Sequence, residues 1–352
     1  MTQPWHAAVI RILRDRRLTF VDVGARGGVP PHWNAYAPVL DVAAFEPDSE
    51  EAERLRAAIV SSGAKASLHE VALWSERGSR TLTITKNPGC SSLFTPNREL
   101  LAGFPDVARF DTQSATELAT STLDTLLGSS LANASAFLKI DAQGGALPIL
   151  TGAGSCLDRT IGIEVEVELA PIYNEEPLFG RVDEFLRERG FELVDLRPTY
   201  WRRDSARSIP GTRGQLVFGD ALYMPTPEMF VRALKARPES AAHLCAGVLV
   251  ACDVYRLWDR VVVYAAAAAG EDILPAARGI LSGAGDDVSA TIKDLPHFPR
   301  RYRLARWIKD LGDRLTESSE HWAYSEQRLG GRMRRSGAVS KLERQLRTVP
   351  PS

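Results

Sequence analysis

The chain has 352 residues, 25% charged and 44% hydrophobic, which excludes wholesale disorder and leaves room for a large core. A formal net charge of -1 excludes a nucleic-acid binder driven by phosphate neutralisation, so any polar partner is read by shape. Cys90, Cys156, Cys245 and Cys252 have neither C-x-x-C nor Cys/His ligand spacing, so no disulfide framework and no metal site is expected. The first 17 residues carry Arg11, Arg14, Arg16 and Arg17, too many charges for a secretory apolar core. Val9, Ile12 and Leu13 instead share one helix face, and a cytoplasmic protein with an N-terminal helix over 1–18 is expected.

The next segment, Phe20-Val-Asp-Val-Gly-Ala-Arg-Gly-Gly28, reads as a buried strand entering a glycine-rich turn, where missing side chains let a ligand approach the backbone. A second apolar run ends in Phe45-Glu-Pro-Asp48, and a carboxylate at that strand end can accept both hydroxyls of an adenosine ribose. Two cofactor classes use this layout. Gly24, Gly27 and Gly28 are spaced G-x-x-G-G rather than the G-x-G-x-x-G of a pyrophosphate site, and Asp22 precedes them, where an anion suits an ammonium and a sulfonium. The pattern therefore favours S-adenosylmethionine over a nicotinamide dinucleotide.

Strands are expected at Thr19–Val23, Val42–Phe45, Ser67–Ala72, Ala136–Ile140, Thr160–Val167, Phe191–Leu196 and Ala221–Met224, with helices between them. This alternation predicts an α/β fold, a mostly parallel seven-stranded sheet covered on both faces. A hairpin strand at Ser79–Ile84 is expected to extend an edge, and a polar loop with Trp201, Arg202, Arg203 and Arg213 joins the last two strands, which can pair antiparallel. Pro225 and Pro227 then mark a change of composition, so 19–224 is taken as one domain and 225–352 as a helical appendage with a basic tail. Ala241–Ala269 is apolar, but Asp253, Arg256, Asp259 and Arg260 interrupt it, so buried helices or a contact between copies of the chain are expected rather than a membrane span. The tail, with Arg300, Arg301, Arg303, Arg306, Arg332, Arg334 and Arg335, reads as a solvated end. The alternative is a peripheral contact with an anionic membrane surface.

With these pieces in order, the chain resembles the FkbM family of S-adenosylmethionine-dependent methyltransferases. The resemblance rests on the glycine turn, on Ala44-Phe-Glu-Pro-Asp48, on Glu70-Val-Ala-Leu73 and on Ser121-Thr-Leu-Asp124. It continues through Phe137-Leu-Lys-Ile-Asp-Ala-Gln-Gly144, Ile149-Leu-Thr-Gly-Ala153, Glu164-Val-Glu166, Tyr173 and Phe185-Leu-Arg-Glu-Arg-Gly-Phe191, and so spans about residues 18 to 224. It implies a class I methyltransferase fold and methylation of a hydroxyl on a small-molecule or glycan acceptor. Expected cofactor residues are Asp22, Gly24, Ala25, Arg26, Gly28, Glu46, Pro47, Val71, Ala72 and Asp141. The family usually carries acids where Gln143 and Ala146 stand, which raises a second reading, a binding or scaffold protein that keeps the fold without the chemistry.

For the acceptor proton, Asp141 at the end of the fourth strand is the first candidate base, with helix capping as its structural alternative. Lys139 lies two residues earlier on the same side of that strand and can hold Asp141 ionised. Glu164, Glu166 and Glu168 alternate along one strand and are expected to face the cleft, with Glu166 and Glu164 as further candidate bases. His32 and Trp33, His69, and Tyr173, Asn174 and Tyr200 to Arg203 are secondary candidates for lining the acceptor side.

Overall fold

A computed structural model describes residues 4–24, 27–206, 214–293 and 323–325. Strands β1 (Leu18–Val23), β2 (Leu40–Phe45) and β3 (Lys65–His69) come first. Then β4 (Ala72–Leu73), β5 (Gly78–Thr85) and β6 (Thr112–Ser121) form an inserted unit. β7 (Ala136–Ile140), β8 (Thr160–Glu168), β9 (Phe191–Trp201), β10 (Gln215–Pro225) and the short β11 (Ala323–Ser325) follow. The main sheet runs β11-β9-β10-β8-β7-β1-β2-β3. Its five strands from β3 to β8 are parallel, whereas β10, β9 and β11 close it antiparallel. The expected seven-stranded, mostly parallel architecture is therefore present, with a three-residue edge strand added.

Two sequence expectations need correction. The Ser79–Ile84 strand does not extend the main sheet; it pairs antiparallel with β6 in a separate three-stranded sheet, β4-β6-β5. The expected strand Ser67–Ala72 is likewise two pieces. β3 ends at His69, and Ala72 and Leu73 pair with Thr120 and Ser121 of the small sheet.

Each face of the main sheet has its own core. Val21, Val23, Leu138, Ile140, Ile163 and Val165 pack with helices Ala146–Thr151 and Phe179–Glu188. Phe20, Phe137, Ile161, Leu222 and Met224 pack on the other face with helices Pro4–Asp15 and Ala241–Tyr255. The helices after Met224, expected as an appendage, thus supply one of the two layers that cover the sheet. Helix Ala241–Tyr255 is buried over almost its whole length, with Cys245 and Cys252 fully enclosed. A Cβ at Gly247 would lie 2.9 Å from Ser135 Oγ, so the glycine lets this helix approach the strands closely. His243 fastens the same contact, with Nδ1 2.9 Å from Ser135 Oγ and Nε2 3.0 Å from the Arg16 carbonyl. Arg256, at φ +60°, then breaks the apolar run before helix Trp258–Ala269. No helix among the described residues is long and apolar enough to cross a membrane. The basic tail beyond residue 294 lies outside the described residues apart from β11, as do Ala25, Arg26 and Arg213.

Candidate active site

Chain order reverses between β1 and β7, where β1 leads to β2 on one side while β7 starts the other half of the sheet. Two neighbouring parallel strands whose connections leave in opposite directions open a crevice beyond their carboxyl ends. A cavity of about 430 Å³ lies there, lined by Val23 and Gly24, Glu46 and Pro47, Val71 and Ala72, Lys139 and Asp141, and Glu166, with the inserted sheet and its loops forming the opposite wall. Most of the residues expected from the sequence to form a cofactor and acceptor site therefore meet in one place.

Gly24 is held at φ +72°, and a Cβ there would come 1.9 Å from the Asp141 carbonyl oxygen, so both conformation and space demand glycine. The turn is drawn in by Gly24 N–H donating to the Phe45 carbonyl and Asp141 N–H donating to the Val23 carbonyl. Glu46 is buried at the end of β2, where its Oε1 accepts the Asp48 N–H at 3.0 Å. Bare backbone at Gly24, a carboxylate at Glu46 and the apolar wall of Val71, Ala72 and Leu73 fit the methionine, ribose and base of S-adenosylmethionine in that order. Gly28 lies elsewhere: its missing side chain makes room for Ala58, 3.1 Å from a Cβ built there, so it seats helix Ser49–Ser61 instead of touching the cavity.

Register explains the polar groups. Asp22, Lys139 and Glu164 are cross-strand neighbours on β1, β7 and β8. The Lys139 ammonium donates to Asp22 at 3.2 Å and lies 3.8 Å from Asp141. Burial alone would lower this ammonium, but the Asp22, Asp141 and Glu164 carboxylates outweigh it and hold the lysine charged. Burial dominates at Asp22, whose carboxyl is raised despite its partner. Asp22 was expected to face the cofactor's ammonium; in the structure it meets Lys139 from beneath the cavity floor.

Glu164 also departs from expectation. It does not line the cavity but turns toward helix Ala241–Tyr255, where the Tyr255 hydroxyl donates to it and His32 Nε2 lies 3.6 Å away. Burial would raise its carboxyl, yet His32, Tyr255 and Lys139 together hold it below the usual range. A carboxylate so stabilised is a poor base. His32 and Trp33, expected near the acceptor, belong to this network. Trp33 is fully buried and its indole N–H points to the Tyr255 hydroxyl at 3.2 Å.

Glu166, one residue pair further along β8, does line the cavity. Burial pushes its carboxyl well above the ordinary value, and the Asp141 and Glu168 carboxylates add to the effect. Gln143 organises the neighbourhood: its amide donates to Glu166 at 2.6 Å and to Asp141 at 3.4 Å, and its carbonyl accepts the Tyr173 hydroxyl at 3.1 Å. Where the family usually has an acid, this chain thus has an amide that satisfies two carboxylates at once. Ala146, the other departure, is buried in the first turn of its helix. Asp141 does not cap that helix, whose N-cap is Gly145, so its side chain remains available to the cavity.

Tyr173, expected to offer an aromatic face, is fully buried and bonded to the Cys90 carbonyl and Gln143. Asn174 is tied to Thr95 at 3.0 Å. His69 stacks on Phe45 and is not part of the cavity wall, and burial lowers its imidazole. The residues that sequence reasoning missed are Gln143 in its bridging role, Tyr255 beneath the floor, and Trp74, Cys90, Arg109 and Phe110 from the inserted unit.

Glu168, expected in the cleft, is buried and accepts the Gly144 N–H at 2.8 Å, while Glu176 accepts the Tyr173 N–H at 3.0 Å. The remaining oxygen of each, Oε2, has no hydrogen-bond partner. Burial, then mutual repulsion, pushes the Glu168 carboxyl up to about 8, and burial pushes that of Glu176 to about 7. Both hold a proton more tightly folded than unfolded. Their contribution to stability is therefore present in full below about pH 4.5 and is lost as pH rises through about 7 and 8. Stability is expected to fall as pH rises from 5 to 8.5 on this account. Glu168→Gln, which keeps the acceptor for Gly144, should flatten that slope in urea unfolding; an unchanged slope would refute the assignment.

Residues 22–193 match the family model described as methyltransferase FkbM domain. No curated protein matches the chain. Among solved structures, an uncharacterized protein from Listeria monocytogenes serotype 4b is 10% identical, over 81% of this chain and 98% of that one, with a TM-score of 0.30. A TehB-like SAM-dependent methyltransferase from Corynebacterium glutamicum is 11% identical over 63% and 88%, at 0.27. The B. subtilis tRNA methyltransferase TrmK is 10% identical over 83% and 98%, at 0.25. Such remote likenesses carry no argument about what this chain acts on. The family match, laid over the crevice between β1 and β7, identifies residues 22–193 as an FkbM methyltransferase domain with S-adenosylmethionine as its cofactor.

Proposed function

We propose that the protein transfers a methyl group from S-adenosylmethionine to a hydroxyl of a glycan or glycosylated natural product. The observation that supports this reading is the position of Glu166 in the cavity that also exposes Gly24 and Glu46: a carboxyl of raised pKa stands in the same enclosed space as the cofactor residues. The cofactor supplies an electrophilic methyl when bound. An attacking hydroxyl must shed its proton, and Glu166, fixed by Gln143, is the group held ready to take it. The Lys139 ammonium lies 3.8 Å from Asp141, which lines the same cavity. Phe218, partly buried on the far wall against Trp201, adds apolar surface suited to a sugar ring.

The test is transfer of a carbon-13 methyl from labelled cofactor to a panel of free hydroxylated glycosides, followed by carbon NMR of the product. A new methyl ether supports the proposal. A label on nitrogen or carbon with no ether contradicts it, and cofactor binding without any transfer would favour the scaffold reading.

A further inference from the structure

Gly144, at φ +82°, is gripped by two carboxyl groups that the reaction leaves unused. Its N–H donates to Glu168 Oε1 at 2.8 Å, and a Cβ built on it would lie 2.8 Å from Glu176 Oε2, so only a glycine lets both approach. Glu168 stands two residues beyond Glu166 on β8 and hence on the same side of that strand. Glu176 reaches in from the chain after Tyr173, whose N–H it accepts at 3.0 Å. Each carboxyl thus has one oxygen on a backbone N–H and one, Oε2, with no hydrogen-bond partner. Both are buried, and Phe94 comes 3.2 Å from the same built Cβ, which helps close the place to water.

A carboxylate with half of its hydration replaced is poorly compensated, and two of them against one glycine repel each other. The charges acting on Glu168 are those of Glu176 and Asp141, both negative. Such a pair ionises one group after the other, and Glu168, the more deeply buried, is the one that keeps its proton longer. Around Glu166, Asp141 and Glu168 oppose ionisation, whereas Lys139 on β7 and Arg197 on β9 favour it. Arg197 is itself paired with Asp220 of β10, the cross-strand neighbour of Glu166. Cys90 and Tyr173 also feel the Glu166 carboxyl, and burial keeps both neutral. Glu168 differs from all of these in having a neighbour, Glu176, that competes with it for a proton.

We propose that Glu168 and Glu176 hold one proton between them and act as positioning residues for Glu166. While the pair keeps that proton, Glu168 is neutral and the neighbouring base can ionise; once the proton is lost, Glu168 repels the charge that Glu166 must take up. This rests on Glu166 serving as the base of the function proposed above and names what governs its charge.

The test is a carbon-13 NMR titration of the full chain labelled at the glutamate carboxyl carbons. The resonances of Glu166, Glu168 and Glu176 are assigned by their loss in Glu166→Gln, Glu168→Gln and Glu176→Gln. In the wild-type chain at pH 6, Glu168 is expected in its protonated form. Glu176→Gln removes the competitor and should bring the Glu168 midpoint down by about one pH unit or more. Glu168→Gln keeps an acceptor for the Gly144 N–H but cannot ionise, and should bring the Glu166 midpoint down by about half a pH unit or more. A packing role alone would move neither midpoint. A Glu168 already ionised at pH 6, a Glu168 midpoint unmoved by Glu176→Gln, or a Glu166 midpoint unmoved by Glu168→Gln would overturn the proposal, and each variant decides by itself should the other not fold. Wild-type turnover in Glu166→Gln would instead remove the base beneath it, a separate result that leaves the titrations of the pair standing.

Discussion

Glu166→Gln is expected to lower turnover by about 100-fold or more on an acceptor that the wild-type protein methylates. The amide keeps the shape of the side chain, and its carbonyl can still accept from Gln143, so the cavity should stay intact while its base is lost. Because burial raises the Glu166 carboxyl, wild-type turnover should climb with pH as that group ionises, and the climb should vanish in the variant. Glu164→Gln is the informative control. Glu164 faces Tyr255 and His32 instead of the cavity, so its amide should cost stability and leave most of the turnover. Asp141→Asn should have an intermediate effect, since Asp141 lines the cavity but is half exposed and shares Lys139 with Asp22. Steady-state rates across pH 5 to 9 for the three variants decide among them. Near wild-type turnover in Glu166→Gln would remove it as the base.

The second large effect is on folding. A chain ending at Pro225 should fail to form a cooperative native state, although composition changes there. Truncation uncovers Phe20, Phe137, Ile161, Leu222 and Met224, all fully or almost fully buried in the core shared with helix Ala241–Tyr255. At about 1.5–3 kcal/mol for each large apolar side chain, the loss is roughly 8–15 kcal/mol, comparable to the whole stability of a typical domain. Tyr255 is lost too, leaving Glu164 and the Trp33 indole without their hydroxyl partner. Circular dichroism and urea titration of the 1–225 chain should show a molten or insoluble product; a sharp unfolding transition would mean that the first 225 residues hold their own core.

The sequence made legible what local pattern governs. The buried strands of the parallel sheet are short apolar runs, and the Gly24 turn and Glu46 stand at their ends, so fold class and cofactor crevice could be read directly. What it hid depends on contacts distant in the chain. Glu164 and Glu166 look equivalent by alternation, and only Tyr255, brought back by a helix far along the sequence, takes one of them away from the cavity. Gln143 reads as a missing acid until its hydrogen bonds show its amide between Glu166 and Asp141. Strand β6 is exposed over most of its length, so it lacks the apolar alternation that marks a strand, and with it went the small sheet opposite the cofactor residues. Arg109 and Phe110 sit in a short turn of that unit with no motif to announce them. The apolar run from Ala241 was legible as buried, but its partner, the face of the sheet, was not.

The central claim is that the crevice between β1 and β7 holds S-adenosylmethionine with its ribose on Glu46. Calorimetric titration of S-adenosylhomocysteine into the wild-type chain and into Glu46→Ala tests it most directly. Charge-assisted hydrogen bonds to the ribose hydroxyls are each worth roughly 1.5–3 kcal/mol, so affinity is expected to fall at least tenfold in Glu46→Ala, with circular dichroism unchanged. Wild-type affinity in a folded Glu46→Ala variant would contradict the assignment of this cavity.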